Sequence, residues 1–185
     1  PYMRARISPQ KNYAAGVGPG DVMLGGAIGE VVRSNDSAYK PGDLVVSDFT
    51  FGWQEYAVIS PSVVRRIDTD LAPLPCRLDF MGLNGLMAYI GLVDAGDMRP
   101  GDTVLISAAA GSVGQIAGQV AKLAGCRVIA MTSSEEKIAR CRELGYDAGI
   151  NYRTEPDLVA AIARECPDGV DVFFDNTAGP IHDAV

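Results

Sequence analysis

The 185-residue sequence is poor in the residues on which metal centres depend. It has a single histidine, His182, and four cysteines, Cys76, Cys126, Cys141 and Cys166, no two of which are spaced as CxxC. No metal site of familiar spacing is therefore expected, and the thiols read as small apolar residues of a core. The only tryptophan, Trp53, reads as core rather than as a substrate platform. Basic residues are in the minority, 16 Lys and Arg against 23 Asp and Glu, for a formal net charge of -7. That balance argues against nucleic acid or an anionic membrane as partner. No apolar run is long enough for a membrane span: the richest stretch, 103–120, is broken by Gly111, Ser112, Gly114, Gln115 and Gln119. Pro1-Tyr2-Met3-Arg4 leads straight into polar sequence, so no export signal is expected. Free thiols then favour a reducing, cytoplasmic setting.

Glycine is abundant: 21 residues, about 11% of the chain against a usual level of about 7%. The glycines are spread through apolar segments, as in a globular enzyme domain. Up to about residue 80, short runs at Ile28 to Val32, Leu44 to Asp48, Tyr56 to Ile59 and Val63 to Ile67 read as strands. Turns at Lys40-Pro41-Gly42-Asp43 and Ser60-Pro61-Ser62 separate them, which suggests a small β-barrel-like unit. Pro73 and Pro75 mark a boundary, and a helix is expected from about Asp79 to Val93.

From Pro100 the pattern alternates. Strands are expected at Thr103 to Ser107, Arg127 to Thr132, Gly149 to Tyr152 and Val170 to Asp175. Helices are expected at Gly111 to Ala124, from a Ser133 or Ser134 cap to Leu144, and from a Thr154 cap to Cys166. Repeated β-α units of this length predict an α/β fold with a doubly wound parallel sheet of the Rossmann kind. Such a sheet usually has about six strands, so four by Val185 reads as an incomplete domain, with roughly a hundred or more residues beyond it.

Ala109-x-Gly111-x-x-Gly114, between an expected strand and an expected helix, is a variant of the dinucleotide fingerprint. Gly111 would let the backbone approach a pyrophosphate, and Gly114 would let helix and strand pack closely. At the next strand end, where NAD-binding folds place Asp or Glu, stand Thr132-Ser133-Ser134. Hydroxyls there, with Lys137 one turn into the helix, suit a 2′-phosphate, so NADP (as NADPH) is favoured over NAD. Glu135 and Glu136 would oppose that phosphate if they faced it, and read as helix-start charges.

These residues resemble the zinc-independent medium-chain dehydrogenase/reductases, in the branch of leukotriene B4 dehydrogenase, prostaglandin reductase and curcumin reductase. The resemblance runs over nearly the whole chain, through Pro1-Tyr2-Met3-Arg4, Pro41-Gly42-Asp43, Trp53-Gln54-Glu55-Tyr56, the Ala108 to Gly114 turn, Ser134-Glu135-Glu136-Lys137, Asn151-Tyr152 and Phe174-Asp175-Asn176. It implies a partial GroES-like catalytic domain at 1–83 and a partial NADP-binding Rossmann domain at 84–185. It further implies an enzyme that reduces the carbon-carbon double bond of α,β-unsaturated ketones with NADPH, without zinc, and a homodimeric full-length parent. Position by position, Gly111, Ser112, Val113 and Gly114 would touch the pyrophosphate, Lys137 and Tyr152 would lie at the 2′-phosphate, and Asn176 would contact the cofactor. Tyr2 and Tyr13 match tyrosines at the substrate side and are the catalytic candidates. Asn84 and Met87 depart from a usual Pro and Thr, and Thr177-Ala178-Gly179 from a usual Val-Gly-Gly. Quinone reduction and non-catalytic NADPH binding are the competing readings.

Overall fold

The structure, a computed structural model, describes residues 6–8 and 16–185. The chain divides into two compact units, Pro1–Leu78 and Asp79–Val185.

In the first unit, β1 (Ala27–Glu30), β2 (Leu44–Ser47) and β3 (Arg65–Arg66) form an antiparallel sheet in that order. β2 is the central strand and carries the buried Val45, Val46 and Ser47. Gly29 in β1 packs against Phe51: a Cβ there would stand 2.6 Å from the ring, which would have to shift. Three sequence expectations fail here. Tyr56 to Ile59 joins no described ladder, and Tyr56 and Val58 are exposed. The run expected at Val63 to Ile67 keeps only two ladder residues, because Pro61 starts a 3₁₀ turn over Pro61–Val63, capped by the Ser60 hydroxyl, which accepts from Ser62 N–H. Trp53 is not core either: it is 69% exposed, its indole lying alongside Gly25.

In the second unit, α1 (Leu83–Tyr89) starts at Gly82 and runs on as a wider π-type turn to Ala95. It begins later than Asp79 because the chain first makes a tight turn, with Gly82 and Gly85 N–H both donating to Asp79 O. β4 (Thr103–Ser107), α2 (Ser112–Leu123), β5 (Arg127–Thr132), α3 (Glu135–Glu143), β6 (Ala148–Asn151), α4 (Leu158–Glu165) and β7 (Val172–Phe174) follow. The sheet is parallel, in the order β6-β5-β4-β7, so the chain winds one way from β4 through β5 to β6 and then returns to β4's other side. That reversal is the switch point of a doubly wound sheet, where ligands bind at the carboxyl ends of the strands.

Alternation along the strands assigns the two faces. Val104, Ile106, Val128 and Ala130 pack with Ala117, Ala121 and Tyr146 on one face; Leu105, Ile129, Met131 and Ile150 pack with Ala161 and Ile162 on the other. α2 approaches the sheet on small residues, Gly114, Ala117, Gly118 and Ala121, at helical spacing. A Cβ on Gly118 would fall 2.1 Å from the Tyr146 ring, whose hydroxyl donates to Gly114 O at 2.6 Å. Burial pushes that phenol far up, so it stays a donor. Tyr146→Phe keeps the ring over Gly118 but loses the bond, and should cost about 1 kcal/mol in denaturant unfolding; an unchanged midpoint would show that the hydroxyl contributes nothing. Cys126, Cys141 and Cys166 are buried as expected, Cys76 only partly; burial raises the Cys141 thiol to about 11.

The helix after β6 is capped by Asp157, whose carboxylate accepts from Ala160 N–H at 3.0 Å, and not by Thr154. Glu155 precedes Pro156, and a residue before proline is pushed out of the helical region, so no helix starts there. Thr154 instead donates its hydroxyl to Asn151 O.

Candidate functional site

β4 is apolar from Val104 to Ile106 and ends on Ser107, which is fully buried. Beyond it Ala108 takes φ +48, and Gly111 N–H returns to Ala108 O at 2.8 Å, a turn tight enough to start α2 directly over the strand end. No side chain caps α2. Its first N–H groups, of Ser112, Val113 and Gly114, thus stand at the carboxyl edge with the positive end of the helix dipole, which suits a phosphate. Gly114 cannot be replaced cheaply: a Cβ would lie 2.6 Å from both Ala108 O and Ala109 O. A Cβ at Gly111 would meet Ala108 O at 3.0 Å. The absent side chains let the turn close tightly and bring the start of α2 against the end of β4.

Across the switch point, Ser107 ties β4 to the end of β7. Its hydroxyl donates to Asp175 Oδ1 at 2.8 Å and accepts from Asn176 N–H at 2.7 Å, while Asn176 Nδ2 donates to Ser107 O at 2.9 Å. Asn176 is therefore fixed at the mouth of the switch point. Asp175 Oδ1 also accepts from Thr177 and Ala178 N–H, and Oδ2 lies 3.1 Å from His182 Nδ1. Burial works against this carboxylate, but the Thr177 and Ala178 N–H groups, the Ser107 hydroxyl and His182 outweigh it and hold its pKa well below the ordinary value. A depressed carboxyl stabilises the fold above its unfolded value, and that contribution fades as pH falls below about 4. Asp175→Asn should accordingly flatten the fall of Tm between about pH 5 and pH 2; identical acid limbs in the two proteins would refute the linkage.

At the neighbouring strand tips, Thr132 pairs in register with Asn151. Ser134 caps α3, accepting from Lys137 N–H, and the Lys137 ammonium donates to Ser133 Oγ at 2.9 Å. Glu135 turns aside: its Oε1 accepts from Asn151 Nδ2 at 3.0 Å. Tyr152 follows β6 directly, its N–H donating to Thr132 O.

Gly111, Ser112, Val113 and Gly114 thus form one turn at the end of β4; Lys137 and Tyr152 follow the ends of β5 and β6, and Asn176 follows β7, all on the carboxyl edge of one sheet. Tyr2 and Tyr13 lie outside the described residues. Sequence reasoning assigned no role to Ser107, Asp175, His182 or Asn151. A serine closing an otherwise apolar strand was a usable signal. The contacts of Asp175 with Ser107 and His182 had none, because no local period links residues 107, 175 and 182. Among the described residues no helix is long and apolar enough to cross a membrane. No three His, Cys, Asp or Glu side chains among them come together to hold a metal ion.

Two family models match the sequence: zinc-binding dehydrogenase over residues 112–184, and N-terminal domain of oxidoreductase over residues 1–67. The zinc in the first description finds no set of ligands among the described residues. Prostaglandin reductase 1 of Rattus norvegicus is 38% identical over 188 residues, covering 100% of this chain and 54% of the relative. NADPH-dependent curcumin reductase of Escherichia coli is 36% identical over 186 residues, covering 100% and 53%. The crystal structure of CurA from Vibrio vulnificus in complex with NADPH superposes with a TM-score of 0.86 at 38% identity, covering all of this chain and 54% of that one. The chain spans about half the length of these relatives. A Rossmann sheet preceded by GroES-like sequence, matched along the full chain, places it plainly: the chain belongs to the medium-chain dehydrogenase/reductases, in the branch of prostaglandin reductase and curcumin reductase.

Proposed function

We propose that the protein is an NADPH-dependent oxidoreductase that reduces the carbon-carbon double bond of α,β-unsaturated ketones and aldehydes. The observation that carries the reading is the uncapped glycine turn at the switch point, with Ser133 and Lys137 at the adjoining tip and Glu135 drawn away from it. In this reading residues 1–83 belong to the GroES-like catalytic domain and 84–185 to the NADP-binding domain, and the protein works without zinc. Its acidic charge and reduced thiols fit a cytoplasmic enzyme for a small molecule, with neither nucleic acid nor membrane as partner, and we take the whole protein as a homodimer.

NADPH supplies the hydride for the β-carbon. The N–H groups of Ser112, Val113 and Gly114 would hold its pyrophosphate over the glycine turn. Ser133, Lys137 and Tyr152 would hold the 2′-phosphate, and Asn176, clamped by Ser107, would stand at the nicotinamide half. Hydride addition at the β-carbon would shift the double-bond electrons toward the carbonyl and leave an enolate, for whose negative oxygen a neutral hydroxyl is a suitable donor; the α-carbon then takes a proton from solvent, which completes the reduction. Tyr13, with Tyr2 as the second candidate, takes that role from the sequence. Tyr13→Phe should lower kcat on a simple enone by about 100-fold, with NADPH affinity unchanged; unaltered kcat and KM would remove Tyr13 from the mechanism.

The deciding experiment is NADPH consumption by the whole protein against a panel of enones, enals and quinones. Turnover of enones and enals supports the reading. Turnover of quinones alone selects a quinone reductase, a neighbour of this fold; tight NADPH binding with no turnover selects a non-catalytic binder.

A further inference from the structure

Glu135 is the first residue of α3 and stands one helical turn or less from Ser133, Ser134 and Lys137. Among the described residues of that tip it is a carboxylate placed close to where dinucleotide-binding sheets keep the acid that accepts from the ribose hydroxyls of NAD. Here it is tied elsewhere. Asn151, the last residue of β6 and only 7% exposed, donates Nδ2 to Glu135 Oε1 at 3.0 Å. The other end of the same amide is also engaged, Oδ1 accepting from Arg153 N–H at 3.2 Å. The backbone carbonyl of Asn151 takes Thr154 N–H, Glu155 N–H and the Thr154 hydroxyl. Swinging the amide would break its bond from Arg153 N–H as well as the one to Glu135, so it holds the exposed Glu135 toward β6, while the Lys137 ammonium is bonded to Ser133.

We infer that Asn151 is a specificity-positioning residue: by fixing Glu135 against β6 it keeps a negative charge out of the 2′-phosphate site and so sets the preference for NADPH over NADH. The inference rests on the NADPH reading above. Released, Glu135 would repel a 2′-phosphate and could accept from the bare ribose hydroxyls of NADH, so the two cofactors respond in opposite directions. A residue that merely stabilised the turn would weaken both alike.

The test is the Kd of NADPH and of NADH, by calorimetry on the full chain, without turnover. Asn151→Ser can still accept from Arg153 N–H but cannot reach Glu135. Its ratio of NADPH to NADH affinity should fall about tenfold, equivalent to about 1.4 kcal/mol. Glu135→Gln alone should leave NADPH binding within about twofold, and Glu135→Gln in the Asn151→Ser background should restore the ratio. Asn151→Asp, which keeps the acceptor for Arg153 and repels Glu135, serves as the second variant and should lower the ratio at least as far. Equal losses for both cofactors, or failure of Glu135→Gln to rescue, would overturn the inference while leaving the NADPH reading intact. A parent protein that binds NADH as well as NADPH would overturn that reading itself, and the inference with it.

Discussion

Gly114→Ala should raise the Kd for NADPH by about 10- to 100-fold and lower stability by roughly 1–3 kcal/mol. The added methyl would sit 2.6 Å from the carbonyl oxygens of Ala108 and Ala109 and 2.7 Å from Ala109 Cα, all main-chain atoms at the end of a buried strand. Neither side can yield like a flexible side chain. β4 is fixed between β5 and β7, and α2 is held down by the Tyr146 hydroxyl on Gly114 O. Relief has to come from lifting the first turn of α2, the part whose free N–H groups face the ligand. The stability loss and the affinity loss therefore have one cause, and equilibrium unfolding with cofactor titration checks both. A variant as stable as the parent that binds NADPH as tightly would mean that the helix start does not hold the pyrophosphate.

Lys137→Ala should weaken NADPH by about 10- to 100-fold and leave NADH nearly unchanged, because a hydrogen bond to a charged group contributes about 1.5–3 kcal/mol. Lys137 Nζ, 2.9 Å from Ser133 Oγ, is already presented toward the strand tip and loses little further freedom on binding. Salt should erode the parent's affinity for NADPH more than the variant's, since the lost contact is ionic. Equal weakening of both cofactors would place Lys137 outside the 2′-phosphate site.

The second unit was legible because its chemistry is local. Thr103 to Ser107 and Arg127 to Thr132 are buried strands in the structure with the bounds expected, since runs of apolar residues between Gly and Ser turns leave few alternatives. The Ala109-x-Gly111-x-x-Gly114 spacing placed the turn, and Ser134 capped its helix as one of two expected serines. What escaped was set by contacts distant in sequence. Asn151 reaches back 16 residues to Glu135, and Ser107 forward 68 to Asp175. In the first unit the expectations at Tyr56 to Ile59 and at Trp53 failed for a related reason. Extended apolar sequence makes a strand only where a partner ladder is present, and an aromatic residue is buried only where other elements cover it.

The central claim, an NADPH site on the carboxyl edge of the β6-β5-β4-β7 sheet, is tested most directly by amide hydrogen exchange of the protein with and without NADPH. Slowed exchange should be strongest at the start of α2 around Ser112 to Gly114, the tips at Ser133 to Lys137 and Asn151 to Arg153, and the Asp175 to Ala178 turn. No protection of these segments at saturating NADPH would contradict it.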